Sequence, residues 1–292
     1  MDLPDWMLGA GRTVRGLARW LSLPLQAFRP HPPGVVVLLY HRVGGGTRSD
    51  VDVAGRVFEE HMRYLHQHCR VVSLDTVADA DARSAGGQTG SDVVAITFDD
   101  GYRDTYEVAY PILRRYGLPA TIYVPAMYIE TRRSFDFGGF VKTPLRHRPL
   151  PLTWDQIGEM MGSGLISIGS HTHTHVDLSR VTADVAAREL EECDEMIYRR
   201  IGVTPKHFAY PWGRWSAAAE QIVGARYVTA ALGGPAKNPF AALDLLRLWR
   251  YPVLRTDGFR LFRARMHQLT ARTADGVSAL TASGPAWKRE RT

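Results

Sequence analysis

The sequence predicts an α/β protein, a parallel β-sheet with helices between its strands, and within that class a β/α barrel. Three observations lead there. Apolar runs of strand length, such as "GVVVLLYH" (34–41) and "VVAITF" (93–98), are continuous rather than alternating, as a sheet covered on both faces requires. Segments of helical periodicity separate these runs one by one. Six to eight such units fit between residues 34 and 269, the size of a β/α barrel.

Pro24, Pro30, Pro32 and Pro33 mark a linker ahead of the first strand. After that strand, "GGGTRSD" is a loop, "VFEEHMRYLHQHC" a helix, "RVVSL" a short strand and "DARSAGGQTGSD" a second loop. The strand "VVAITF" leads to "YEVAYPILRRYG", a helix ended by Gly117, and then to the strand "PATIYVPA". Residues 129–152 are rich in Arg, Gly and Pro without periodicity and predict a long functional loop. The helix "TWDQIGEMMGSG" follows, with Thr153 as N-cap, then the strand "LISIGSH" and the long amphipathic helix "TADVAARELEECDEMIYRRIG". Strand "HFAYP", helix "SAAAEQIVGA", strands "RYVTAAL" and "LLRLWRYPV" and a last helix "DGFRLFRARMHQL" complete the series. The chain thus divides into a leading segment 1–33, a folded body 34–269 and a small, polar tail 270–292 expected to be disordered.

The formal charge of +6 resides at the ends: residues 1–30 carry +2, residues 255–292 carry +5, and the body between them is near neutral at −1. A nucleic-acid groove needs its basic residues concentrated on the folded body, so the charge distribution disfavours that class. Cys69 and Cys193 lack a C-x-x-C partner and read as two buried free thiols, not a disulfide framework or a cysteine zinc site. No apolar run approaches membrane-spanning length. Arg12, Arg15 and Arg19 interrupt the N-terminal apolar stretch, so it is a poor signal peptide. It reads as a basic amphipathic helix with Trp6, Leu17, Trp20 and Leu21 on one side, either packed on the domain or lying peripherally on an anionic membrane surface. The expected location is the cytoplasm or the inner membrane face.

In barrels and open parallel sheets chemistry collects at the C-terminal strand ends. Here the first strand ends in His41, "VVAITF" in Asp99 and Asp100, "LISIGS" in His171, followed by His173 and His175, and "HFAYP" near Trp212 and Gly213. Two adjacent carboxylates at the end of a buried strand repel one another and lose hydration unless a cation offsets them. Two carboxylates and several histidines on one rim form a ligand set for a borderline divalent metal. An Asp with His171 and His175, four residues apart, leaves positions open for water and substrate. Water bound there has a pKa near ~7, a carboxylate off the metal can serve as general base, and a histidine opposite can protonate a leaving group. Asp-Asp-Gly alone is a common turn and "HTHTH" alone a common polar loop; their occurrence at successive strand ends favours metal hydrolysis.

These residues resemble the polysaccharide deacetylases of carbohydrate esterase family four, the group that includes rhizobial chitooligosaccharide deacetylases. "TFDDG" (97–101) matches the family's first motif, "HTHTH" (171–175) its second, and "FAYPWG" (208–213) its third by position. The resemblance covers roughly residues 34–255. It implies a distorted β/α barrel and metal-dependent hydrolysis of an N- or O-acetyl group on a sugar. It further implies Asp99 as general base, Asp100, His171 and His175 as metal ligands, and the Trp212 backbone N–H, beside Tyr210, as part of the oxyanion and substrate site. His173 occupies a variable position and is expected to be solvated or to support the ligands from outside.

Two departures follow. The family usually ends with an L-x-H motif carrying the acid, and no such motif occurs after residue 213. Leu39-Tyr40-His41 at the first strand resembles the branch acting on poly-N-acetylglucosamine and other exopolysaccharides, where the motif order is circularly shifted, so His41 is the expected acid. The third motif usually opens with an Arg that pairs with the base; here Ala209 stands there, and Arg250 is the candidate substitute. The family's fourth-motif Asp, which orients the His, has no counterpart placed.

The resulting expectation is removal of acetyl groups, N-acetyl first, from a glycan. Zinc is the first choice of metal, and cobalt, nickel and manganese are compatible. The competing reading is a catalytically silent carbohydrate-binding module on the same scaffold, which Ala209 favours and the intact Asp-His-His set opposes; a third is another barrel metal hydrolase. Residues 129–152, with Arg132, Arg133, Phe135, Phe137, Phe140 and Arg146, either wall the substrate groove or pack as a loop.

Overall fold

Seven parallel strands close on themselves in the computed structural model, which describes residues 32–80, 91–234 and 237–270. In chain order the strands are β1 (Gly34–Tyr40), β2 (Arg42–Val43), β3 (Asp52–Val53), β4 (Arg70–Val71), β5 (Val93–Phe98), β6 (Ala120–Val124), β7 (Ile166–Ser170), β8 (His207–Ala209), β9 (Thr229–Gly233), β10 (Asn238–Pro239) and β11 (Leu248–Pro252). Around the barrel the order is β1, β11, β9, β8, β7, β6, β5 and back to β1, each pair parallel. The last strand therefore adjoins the first, with Arg250 in register with Val37, and Leu39 with Thr97 on the other side. Short β4 and antiparallel β10 extend the wall, while β2 and β3 pair separately.

The connecting helices are α1 (Gly55–His68), α2 (Leu74–Ala78), α3 (Tyr110–Tyr116), α4 (Ala126–Thr131), α5 (Trp154–Gly162), α6 (Ala183–Ile201), α7 (Ala217–Arg226) and α8 (Phe259–Thr270). Their ends follow the local chemistry. Thr153 and Gln156 form a reciprocal capping box on α5, and Thr182 and Ser216 cap α6 and α7 through their hydroxyls. Gly117 ends α3 at φ 61°, a conformation glycine adopts without strain. A π-helical turn, Thr105–Ala109, leads into α3.

Strand alternation sorts the core into two layers. The outward residues Val36, Leu38, Tyr40, Ile96, Phe98, Ile122, Val124 and Ile168 pack under Phe58, Met62 and Leu65 of α1 and Phe262 of α8. Burying side chains of this size stabilises by about 1.5–3 kcal/mol each. The inward layer is smaller: Val35, Val37, Ala95, Tyr123, Ala209 and Ala231 cluster inside the barrel. It also holds polar groups that satisfy one another, with Thr121 bonded to Ser167 at 2.8 Å and His207 to Thr229 at 2.9 Å.

Some elements differ from the sequence expectation. Residues 129–152 are less featureless than their composition suggests: α4 runs into them, two 3-10 turns lie at 138–140 and 145–147, and Pro151 bridges to Tyr102. Both thiols are free, but only Cys193 is buried; Cys69 is half-buried. The N-terminal basic helix expected in residues 1–26 and the tail from residue 271 lie outside the described residues. No helix among the described residues is long and apolar enough to cross a membrane.

Candidate active site

The inward alternation continues past the strand ends and delivers polar side chains to one mouth of the barrel. Asp99 follows Ala95 and Thr97, and its N–H donates to the Tyr40 carbonyl at 3.0 Å, extending the β5–β1 ladder by one residue. His171 follows Ser167 and Gly169, and its N–H donates to the Val124 carbonyl at 3.2 Å. The chain then turns sharply. Asp100 and Gly101 take φ of 72° and 65°, and Thr172 and His175 take 64° and 62°. A non-glycine residue there costs about 1–2 kcal/mol, so the surroundings must hold it.

These turns bring three donor atoms together. His175 Nε2 lies 3.1 Å and His171 Nε2 3.5 Å from Asp100 Oδ1. One ligand atom from each of Asp100, His171 and His175 falls within 4.8 Å of the others, and all three residues are buried. The His171 Nδ1 lies 2.7 Å from the Ala209 carbonyl, so it is the protonated nitrogen and Nε2 keeps its lone pair facing Asp100. Asp100 Oδ1 has no hydrogen bond from the protein. A buried carboxylate oxygen facing two imidazole nitrogens, with no donor of its own, fits a divalent cation.

Asp99 has a different partner. Arg250 Nη1 and Nη2 donate to its two carboxylate oxygens at 2.6 and 2.7 Å, with both residues buried. The Arg250 side chain runs up the barrel interior, donating to the Leu232 carbonyl at 3.3 Å and to Thr97 Oγ1 at 3.3 Å, over the Tyr123 ring at 5.4 Å. Ala209 points into that same interior, in the cluster with Tyr123, and Arg250 reaches Asp99 from β11.

Burial raises both carboxylates, positive neighbours lower them, and the net shift is downward for each. Burial alone would raise Asp99, but Arg250 and, after it, His171 outweigh this and hold it below the usual carboxylate range. Asp100 is likewise raised by burial and then carried well below its usual range by His175 and His171. For His171 burial lowers the pKa, Asp99 and Asp100 raise it, and the net shift is upward; for His175 burial prevails and the net shift is downward. The adjacent acids are therefore both ionised, each with its own partner.

A cleft of about 340 Å³ opens above these groups, and His41, Asp99, Asp100, His171, His175 and Arg250 all line it. His41 is half-buried at the end of β1. Trp212 stands at the rim, 47% exposed, on a backbone with φ 61°. Phe137 and Phe140 of the 132–152 segment form part of the wall. Tyr210 is a correction: its side chain does not reach the cleft. It shares the outward face of β8 with Phe208, their rings 5.0 Å apart, and packs with Leu190, Ala219 and Val223 of the helix layer. The period of two that turns Ala209 inward turns Tyr210 outward, a signal already present in "FAYP". His173 also turns away, with Nε2 3.9 Å from Glu192. Phe137, expected either to wall the groove or to pack as a loop, lines the cleft and stacks on His175, a contact the sequence did not indicate; Thr97, which bonds the Leu38 carbonyl and Arg250, was given no role, although its inward position in "ITFDD" could have marked it.

Comparison with known proteins agrees with this architecture. The family described as polysaccharide deacetylase matches residues 86–230. The Bacillus subtilis protein YxkH is 28% identical over 214 residues, covering 72% of this chain and 67% of that protein. Poly-beta-1,6-N-acetyl-D-glucosamine N-deacetylase of Staphylococcus aureus MRSA252 is 27% identical over 173 residues, 56% of this chain and 55% of that protein. The Escherichia coli K12 enzyme of the same name is 27% identical over 154 residues, only 22% of its length. The fold matches deacetylase PplD from Streptococcus pyogenes, solved in complex with acetate, at TM-score 0.66 and 24% identity, over 81% of this chain and 99% of that one. It matches IcaB from Ammonifex degensii at TM-score 0.65 and 22% identity, over 82% and 99%. The closed seven-stranded barrel, the motif-bearing strand ends and the family match over residues 86–230 together show that the chain carries a polysaccharide deacetylase domain.

Proposed function

We propose that this protein hydrolyses N-acetyl groups on a glycan of N-acetylated sugars, with a divalent metal held by Asp100, His171 and His175. The observation that carries this is the pairing of two adjacent, differently partnered carboxylates in one cleft: Asp100 against two histidines and Asp99 against Arg250. Deacetylation of a polysaccharide follows from the family. The N-acetyl preference is supported by the relatives named as N-deacetylases of poly-beta-1,6-N-acetyl-D-glucosamine. Zinc suits two imidazoles and one carboxylate.

When bound, the metal supplies Lewis acidity, polarising the acetamide carbonyl and lowering the pKa of water beside it. The remaining work falls to the chain. Asp99, ionised and held at both oxygens by Arg250, takes a proton from the water that attacks the carbonyl carbon. The Trp212 backbone N–H, at the rim, donates to the oxygen on which negative charge develops. His41 gives its proton to the departing amine nitrogen as the C–N bond breaks. Acetate and a free amino sugar leave. Ala209 does not argue for a silent module, because the base has an arginine partner from another strand.

Acetate release from N-acetylglucosamine oligomers, with and without zinc, tests the proposal in wild type and Asp100→Ala. Zinc-dependent release that disappears in the variant is the expected result. No release from any acetylated sugar by protein carrying stoichiometric zinc would overturn it.

A further inference from the structure

We propose that Phe137 is a positioning residue for the metal ligand His175, so that the 132–152 segment sets how tightly the metal is held; this rests on the metal reading above. A histidine ligand is ordinarily fixed by a hydrogen bond from its other ring nitrogen. His171 has that bond, to the Ala209 carbonyl. His175 does not: its Nδ1 is buried and no protein group pairs with it. Its ring instead lies flat on Phe137, with centroids 3.8 Å apart and planes 2° from parallel. The Trp212 indole meets the same imidazole edge-on at 4.9 Å and 78°.

The geometry of this stack is informative. Two electron-rich rings avoid a centred face-to-face arrangement, because their negative faces oppose each other. An imidazole whose second nitrogen holds a cation is electron-poor, and an aromatic face then attracts it. The stack therefore suits the metal-loaded ring. His175 also sits at φ 62°, a strained backbone that its neighbours must hold in place. Phe137 is well placed to do so, since it is itself anchored. It packs edge-on against Tyr128 at 5.4 Å and against fully buried Phe135 at 5.4 Å. Phe135 in turn packs on Tyr102 at 4.6 Å and donates its N–H to the Pro149 carbonyl. Rotation of the His175 ring would break contact with this platform. By linkage, whatever the platform adds to metal affinity the metal returns as order in the segment.

The test uses the full chain, stripped of metal by chelation, with zinc affinity read by competition against a chromophoric chelator. Phe137→Leu should bind zinc about 10–100-fold more weakly than wild type, while Phe137→Tyr, which keeps the ring, should stay within about threefold. Phe140→Leu, in the same segment but with its ring against Tyr102 at 6.3 Å, should also stay close to wild type. The visible spectrum of the cobalt-loaded protein should change in Phe137→Leu alone. Wild-type zinc affinity and cobalt spectrum in Phe137→Leu would overturn the proposal. So would an equal loss in Phe140→Leu, which would point to the integrity of the segment instead of the stack. A wild-type protein that binds no zinc at all would overturn both this inference and the metal reading.

Discussion

Arg250 on β11 and Asp99 at the end of β5 form a two-pronged ion pair across 151 residues of sequence, both oxygens of one engaged by both terminal nitrogens of the other. The pair is possible because β11 adjoins β1 and β1 adjoins β5 at the closure of the barrel. Removing one partner of such a buried pair strands the other and destabilises by about 3–5 kcal/mol. Arg250→Ala should therefore lower the unfolding midpoint and reduce kcat/KM by at least about a hundredfold, since Asp99, the proposed base, loses both its charge partner and its orientation. The sign of the pH effect is fixed. Burial raises Asp99 and Arg250 lowers it, so without Arg250 the carboxyl rises and the acidic limb of the rate profile moves to higher pH. Steady-state rates across pH for wild type and Arg250→Ala test this. Activity within a few-fold of wild type would remove Arg250 from the mechanism.

The assigned roles separate metal binding from proton transfer. Asp99→Asn keeps the Asp100, His171 and His175 cluster and should retain zinc while losing about 10²–10⁴ in turnover. His41→Ala should also retain zinc and lose turnover. Asp100→Ala should lose the metal itself. Metal content by elemental analysis beside kcat for the three variants distinguishes the roles. Zinc lost from Asp99→Asn, or full turnover in His41→Ala, would mean that the roles are misassigned.

Metal removal should register as stability, because the ligand cluster exists only in the folded chain. A ligand that binds the folded state alone adds about 2.7 kcal/mol when present at a hundred times its dissociation constant. Thermal unfolding with chelator and with added zinc should differ accordingly in wild type and not in His175→Ala. An identical zinc response in the two proteins would place the metal elsewhere.

Much of this was legible in the sequence, and the reasons are local. The continuous runs 34–41 and 93–98 have the length and unbroken apolarity of doubly covered strands, and Thr153 and Gly117 punctuate their helices by side-chain or backbone chemistry that needs no tertiary context. Asp99, Asp100, His171 and His175 were visible because strand ends in such folds converge. What escaped depends on distant geometry. The short helix α4 lies where apolar residues continue straight from strand into helix without a polar break. Tyr210 sits inside a site motif, yet the strand alternation that turns Ala209 inward turns it outward onto Phe208. The stack of Phe137 on His175 joins a loop to a strand end, and no short-range pattern encodes it.

His61 on α1 carries a pH-dependent part of the stability that is independent of the catalytic chemistry. It is fully buried, its Nδ1 lies 3.2 Å from the Tyr40 hydroxyl, and its ring stacks on Phe262 at 3.8 Å. Burial drives its pKa down to about 3, against a smaller upward pull from the Asp257 backbone. Between that value and its ordinary 6.5 the unfolded chain binds a proton that the folded chain does not, so stability falls as the pH drops through this window. The slope is about 1.4 kcal/mol per pH unit, so roughly 2–3 kcal/mol is lost by two units below the ordinary value. Asp104 and Asp194 act in the opposite sense, since burial raises each to about 6 and the folded chain then holds the extra proton. The comparison that isolates His61 is therefore the difference between wild type and His61→Gln, in urea unfolding near neutral pH and again two units lower. The wild type should lose stability relative to His61→Gln as the pH falls, and parallel curves for the two proteins would show that His61 is protonated at no cost to the fold.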